Sequence, residues 1–166
     1  LSILSIIPAI GIANKRKKDK RYLKNNVNIA KLQRRLITHE DPKSPISEAY
    51  RSLRTGLMYT EIKQKGQIIL VSSPGPGEGK TTTIANLAIT YANLGKKTLL
   101  IDSDLRKPVL NNVFDFDKSP GLTSYLDGNL EINKICNKTD IDNLDVITSG
   151  IIPPNPSELL DSEYMK

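Results

Sequence analysis

The chain has 166 residues, 38% of them hydrophobic, with one Cys, one His, no Trp and a formal net charge of +6. That length suits one domain with a real core. A single Cys excludes an internal disulfide framework and a Cys-cluster zinc site, and a single His excludes His-rich metal chemistry.

The charge is local. Between Asn14 and Ile37 stand ten basic residues (Lys15, Arg16, Lys17, Lys18, Lys20, Arg21, Lys24, Lys31, Arg34 and Arg35) and one acid, Asp19, so this stretch carries +9 and the remainder −3. The split argues against a nucleic-acid-binding domain and for a basic segment joined to a mildly acidic one.

The opening apolar run ends at Ile12. As a helix it would span about 18 Å, short of the ~30 Å hydrocarbon core of a bilayer. Its charges follow the apolar run rather than precede it, unlike a signal peptide. Residues 1–13 are expected to hold a short strand ending at Pro8. Residues 14–41 read as a basic linker in which Asn25, Asn26 and Asn28 interrupt helical runs, with a weak helix around Ile29–Ile37 and a solvated His39. Ser44-Pro45 then marks a helix start, Ser as N-cap and Pro at the first helical position. The helix is expected to run to about Ile62, with Ile46, Ala49, Tyr50, Leu53 and Leu57 as its apolar stripe.

The continuous apolar run from Gln67 to Ser73 has the pattern of a buried parallel strand. A Gly/Pro turn follows, then a helix from about Lys80 to Leu94 stopped by Gly95, with Ile84, Leu87, Ala88 and Tyr91 facing inward. Lys97–Asp102 reads as a second buried strand, and strand, helix and strand in about 36 residues predict a right-handed βαβ unit. Asn111–Cys136 reads as loops and short helices, with Cys136 a small buried hydrophobe in a helical stretch. Leu144–Thr148 is a third strand, and Pro153-Pro-Asn-Pro156 leads into a last helix. There is no internal repeat. Both chain ends read as cut, so the sequence is expected to be a fragment.

Two elements carry chemistry. Ser72-Ser-Pro-Gly-Pro-Gly-Glu-Gly-Lys-Thr-Thr82 sits between a predicted strand and a predicted helix, the context a phosphate loop requires. Its glycines let backbone N–H groups close around a polyphosphate, and the helix N-terminus adds partial positive charge. Lys80 supplies a charge for the β- and γ-phosphates, and Thr81 a hydroxyl for Mg²⁺. Pro74 departs from the strict pattern, which has Gly there.

The second element is Leu99-Leu-Ile-Asp-Ser-Asp-Leu-Arg-Lys-Pro108. Asp102 and Asp104 leave the C-terminal end of a strand, the edge where open α/β sheets bind ligands. They serve the metal shell or accept a proton, or else Asp102 is a turn cap. The third strand ends Thr148-Ser149-Gly150 without an acid, so either Asp102 fills the role of the later metal-binding Asp or that strand follows Lys166.

Together these residues resemble the bacterial tyrosine kinases that control capsule and exopolysaccharide chain length, over about residues 42–166. The resemblance rests on four stretches. Pro76–Thr82 is similar to the first nucleotide motif and Ile101–Pro108 to the second. Glu48-x-x-Arg51-x-x-Arg54 is similar to the oligomerisation motif, and Pro153–Leu160 to the stretch before the Walker B strand. The opening Leu-Ser-Ile-Ile-Pro type of sequence resembles a segment joining a membrane helix to the kinase.

The resemblance implies an α/β, P-loop NTPase-like parallel sheet with flanking helices, truncated at its C-terminal side. It implies an ATP-dependent tyrosine autokinase, with ATP held by Gly75, Gly77, Glu78, Gly79, Lys80, Thr81 and Thr82. Mg²⁺ would be held by Thr81, Asp102 and Asp104, and catalysis would fall to Lys80, Asp102 and Asp104, with Asp102 as the base. Glu48, Arg51 and Arg54, spaced to share one ~120° helix face, would pack on the next copy in a ring. A transmembrane chain-length regulator domain and tyrosine substrates are the further partners implied, at the cytoplasmic face of the membrane. The Walker B strand and the tyrosine cluster of the family are absent: Tyr50, Tyr59, Tyr91, Tyr125 and Tyr164 stand singly and Tyr22 lies in the basic linker. Two other readings compete: an ATPase switch of the chromosome-partitioning or septum-placement kind, and a nucleotide-binding scaffold without turnover. The basic segment is either a lipid-facing stretch or a solvated linker.

Overall fold

The computed structural model of the chain describes residues 5–7, 36–60 and 66–165. They fall into two units that divide between Tyr91 and Ala92.

In the first unit a short helix, α1 (Ile37–Glu40), is followed by Ser44, whose Oγ accepts the Ser47 N–H and whose carbonyl accepts the Glu48 N–H, each at 3.1 Å. This is the N-cap that Ser-Pro predicts, and α2 (Pro45–Thr60) begins there. Tyr50 is the buried anchor of its stripe, while Ile46, Ala49, Leu53 and Leu57 are half-buried. Ser47 Oγ donates to the Asp41 carbonyl at 2.7 Å and fastens the segment after α1 to α2. His39 is exposed, as expected. The basic linker up to residue 35, most of the weak helix around Ile29–Ile37 and the expected end of α2 near Ile62 lie outside the described residues. Of the opening strand, residues 5–7 are described. They form no strand, and Ser5 Oγ instead donates to the Ala49 carbonyl of α2 at 3.2 Å.

Helix α3 (Lys80–Ala92) starts directly after Gly79. Residues 85–90 are all buried, so it is enclosed on every side rather than amphipathic, and Ala85 and Ala88 leave room for that. Gly95, at φ +78°, ends the run with its N–H on the Ala92 carbonyl at 2.8 Å.

The expected strand over 67–73 is corrected. These residues alternate between half-buried (Gln67, Ile69, Val71, Ser73) and exposed (Ile68, Leu70, Ser72), with Ile68 98% and Leu70 81% exposed. That alternation is an extended backbone, but no strand among the described residues pairs with it. Apolar pattern sets the extension, whereas strand identity needs a ladder partner.

The second unit runs β1 (Thr98–Ile101), α4 (Leu110–Phe114), α5 (Leu122–Leu126), α6 (Ile132–Ile135), β2 (Cys136–Lys138), β3 (Leu144–Ile147) and α7 (Pro156–Leu160), then a single 3₁₀ turn. The sheet order is β1-β3-β2. β1 and β3 are parallel, in register from Thr98 opposite Leu144 to Ile101 opposite Ile147. β2 adds antiparallel, Cys136 opposite Ile147. The α/β architecture stands, and the sheet is mixed rather than all-parallel. Cys136 is also corrected: it opens β2, half-buried, because the backbone turns extended at φ −87°, ψ 114° once Ile135 has entered the core. Leu105, Leu122, Leu126, Ile135 and Ile147 form that core.

Candidate phosphate and carboxylate sites

The glycines of the loop do what their spacing predicts. Gly77 and Gly79 sit at φ +78° and +93°, a region that side chains with a Cβ avoid. A Cβ built at either would meet nothing within 4 Å, so it is the positive φ and not packing that calls for glycine there. Gly75 differs: a Cβ there would press on the Glu78 carboxylate. The Gly79 carbonyl accepts the Thr83 N–H at 2.8 Å, the first turn of α3. The N–H groups of Lys80, Thr81 and Thr82 therefore head that helix, where the geometry leaves donors without intrahelical partners. Lys80 Nζ lies over the loop, donating to Ser73 Oγ at 3.3 Å and to the Gly75 carbonyl at 3.2 Å, and Ser73 Oγ donates to the same carbonyl at 3.0 Å. Backbone N–H groups at the head of a helix beside one ammonium fit a polyphosphate.

In the second unit the Asp102 N–H extends the parallel ladder onto the Ile147 carbonyl at 2.9 Å, so β3 places the carboxylate. Asp102 is 8% exposed. Its Oδ1 accepts the Asp104 N–H at 3.2 Å and its Oδ2 the Leu110 N–H at 3.0 Å. Burial pushes its carboxyl above the ordinary range; the Leu110 and Asp104 N–H groups oppose that shift, and the Asp104 charge adds to it. Asp104 is exposed, its Oδ1 accepting the Arg106 and Lys107 N–H groups at 3.2 and 2.9 Å. The turn-cap and ligand readings are thus compatible, since each carboxylate oxygen keeps acceptor capacity beyond one N–H. No cluster of three or more His, Cys, Asp or Glu is formed among the described residues. Mg²⁺ does not need one, being held through one or two carboxylates together with substrate phosphates. A hydroxyl and carboxylates are the hard oxygen donors that suit it.

The three residues at helical spacing on α2 divide. Arg51 Nε and Nη2 both reach Glu48 Oε2 at 2.8 Å, with Glu48 exposed, and Nη2 also donates to the Pro42 carbonyl at 2.8 Å. Arg54 turns inward, its Nη1 on the Thr90 carbonyl of α3 at 2.7 Å.

Sequence reasoning missed the polar residues that hold the loop from behind. Asn86, fully buried, accepts the Thr38 N–H and Oγ1–H on its Oδ1, each at 2.9 Å, and donates to the Thr82 carbonyl at 2.8 Å. An Asn in a helix of apolar residues is the available signal for such a brace.

A family model described as "AAA domain" matches residues 66–160. The chain is 44% identical over 137 residues to the tyrosine-protein kinase YwqD of Bacillus subtilis (strain 168), across 82% of this chain and 58% of that protein. Among solved structures it is similar to the chimerical protein CapA2B2, with TM-score 0.75 and 45% identity over 79% of this chain and 57% of that one. It is also similar to the BceF tyrosine kinase domain, with TM-score 0.79 and 30% identity over 99% and 64%. The chain thus spans less than two thirds of the length of each.

Proposed function

The chain belongs to the AAA domain family, and we propose that it is the nucleotide-binding part of an ATP-dependent protein-tyrosine kinase regulating capsular and extracellular polysaccharide biosynthesis and export. The observation that carries this reading is the loop at the head of α3, with Gly77 and Gly79 at positive φ and Lys80 Nζ over its Gly75 carbonyl. The names of the relatives supply the acceptor class.

In this reading Gly75, Gly77, Glu78, Gly79, Lys80, Thr81 and Thr82 bind ATP. Thr81, Asp102 and Asp104 would be the residues to hold Mg²⁺, which would supply charge neutralisation at the phosphates. A tyrosine hydroxyl forms the new O–P bond while ADP leaves with the electrons of the old one. Asp102 would take the hydroxyl proton as the general base. The Lys80 ammonium offsets charge on the transferring phosphoryl group.

Assembly into a ring with further copies would use the helix α2 that carries Glu48, Arg51 and Arg54. A transmembrane chain-length regulator domain is the second proposed partner. The proposed location is the cytoplasmic face of the membrane, where the ten basic residues of 14–37 would each gain up to about 1 kcal/mol beside anionic lipid. Among the described residues no helix is long and apolar enough to cross a membrane.

The test is phosphoryl transfer from ATP to a tyrosine peptide by the intact protein. Phosphotyrosine that forms with wild type and is lost in Lys80→Met supports the reading. ATP hydrolysis without any phosphotyrosine sinks it in favour of a nucleotide switch.

A further inference from the structure

Asn86 stands in the second turn of α3, fully buried, with its side-chain amide committed at both ends. Nδ2 donates to the Thr82 carbonyl at 2.8 Å, one turn nearer the phosphate loop. Oδ1 accepts two hydrogen bonds from one distant residue, the Thr38 N–H and the Thr38 Oγ1–H, each at 2.9 Å. The Thr38 N–H can only donate and the Thr82 carbonyl can only accept, so the amide has a single satisfied orientation.

Thr38, in α1, is itself 2% exposed. The backbone on either side of it is fixed to α2, because Ser47 Oγ, which donates to the Asp41 carbonyl, also lies 3.2 Å from the Ile37 carbonyl. Thr38 is therefore a firm anchor, and it reaches α3 through one amide. The line of bonds from Thr38 through Asn86 to Thr82 ends in the first turn of α3, where the N–H groups of Lys80, Thr81 and Thr82 head the phosphate loop. A helix cannot turn or slide at its second turn unless its first turn follows, so whatever fixes Asn86 also aims those donors.

We propose that Thr38 is a positioning residue of the nucleotide site, acting through Asn86 to set the rotation and axial place of the phosphate-loop helix. The proposal rests on the reading of residues 75–82 as a nucleotide site. Valine at 38 puts a methyl group where Oγ1 now stands 2.9 Å from Asn86 Oδ1, inside the about 3.3–3.6 Å of close C–H···O contacts. The Asn86 amide must then move, and the Thr82 carbonyl it holds moves with it. Serine at 38 keeps the hydroxyl and so keeps the tether. Linkage is reciprocal: if the tether aims the loop for nucleotide, bound nucleotide holds the tether closed.

The experiment titrates the intact protein with Mg·ADP by calorimetry, for wild type, Thr38→Val and Thr38→Ser, beside a thermal melt of each without nucleotide. Thr38→Val is expected to bind ADP about fivefold more weakly, the scale of one lost buried hydrogen bond, and Thr38→Ser close to wild type. The second readout is hydrogen exchange of the Thr38 amide in wild type, followed by NMR. Mg·ADP is expected to slow it by a larger factor than it slows the Val146 amide of β3, which reports stabilisation away from the tether. A hydroxyl that serves stability alone lowers the melting temperature of Thr38→Val with ADP affinity unchanged, and that outcome overturns the proposal. Thr38→Ser binding as weakly as Thr38→Val overturns it too, since the hydroxyl is then not the cause. If Thr38→Val fails to fold, exchange in wild type decides: extra slowing at Thr38 supports the tether, and equal or no slowing overturns it. Wild type that binds no ADP sinks the reading of residues 75–82 and this proposal with it, whereas wild-type binding with an indifferent Thr38→Val sinks the tether alone.

Discussion

The Oδ2 of Asp102 accepts the backbone N–H of Leu110 at 3.0 Å, so the carboxylate that ends β1 also fastens the start of α4 eight residues on. Burial outweighs this bond and its partner at Asp104, and the carboxyl is raised above its ordinary 3.8. A carboxyl raised in the fold binds its proton more tightly folded than unfolded. Its contribution to stability is full below the ordinary value and is lost as pH rises through the raised one. The expected outcome is that wild type loses stability relative to Asp102→Asn as pH climbs from about 4 toward neutrality. Urea denaturation of both proteins without Mg²⁺ or nucleotide, at a series of pH values, measures it; a difference that is flat with pH contradicts the shift.

Gly79 separates strain from packing. At φ +93°, with nothing within 4 Å of an added Cβ, Gly79→Ala meets no steric clash within the protein and costs the backbone about 1–2 kcal/mol. Relaxation of φ to a negative value would pull the loop away from the head of α3. Nucleotide binding is therefore expected to fall much further than thermal stability. Calorimetric titration with ADP beside a thermal melt tests this, and equal losses in the two would refute it.

Cys136 is expected to be a sluggish thiol. Burial pushes its thiol up, the Asp145 carboxylate pushes it further and the Lys138 ammonium opposes both. The thiolate is the reactive form. Alkylation at pH 7 should run slower than that of a free thiol and accelerate in Asp145→Asn. Rates from a mass-shift assay decide it, and a rate matching free cysteine would show that the group is neither buried nor repelled.

How far these features could be read from sequence depends on how local their causes are. The Ser44 cap, the glycine loop and the Gly95 stop each arise within a few residues, and each appears where the pattern puts it. The extension of 67–73 is local too, but its pairing is not, and the predicted strand fails there. Thr38 and Asn86 lie 48 residues apart, and nothing in either neighbourhood announces the bond. Arg54 shows the same limit: helical spacing puts it on one face with Glu48 and Arg51, yet a long side chain can turn from that face to reach Thr90. Asp102 is legible as a residue of interest from its place at a strand end, while the burial that sets its chemistry comes from β3 and α4 packing around it.

Gly121 and Gly150 make the closest backbone approach that a substitution can probe. A Cβ on Gly121 would come closer than 3 Å to the Gly150 nitrogen and the Thr148 carbonyl, both backbone atoms with no rotamer to yield. Those atoms are already committed: the Thr148 carbonyl accepts the Leu122 N–H at 2.8 Å and the Gly150 N–H donates to the Lys118 carbonyl at 3.0 Å. Leu122 and Ile147, on either side of this junction, belong to the core of the second unit. Gly121→Ala must therefore separate α5 from the end of β3 and lengthen bonds at the rim of that core. The expected loss is about 3 kcal/mol, at the upper end for an inserted methyl group. Gly128→Ala is the comparison, because its Cβ would meet the tip of the Tyr164 side chain, which can swing aside, though φ +73° still strains it. Urea midpoints should fall further for Gly121→Ala than for Gly128→Ala, and the reverse order would mean that the backbone at 148–150 gives way more easily than its hydrogen bonds imply.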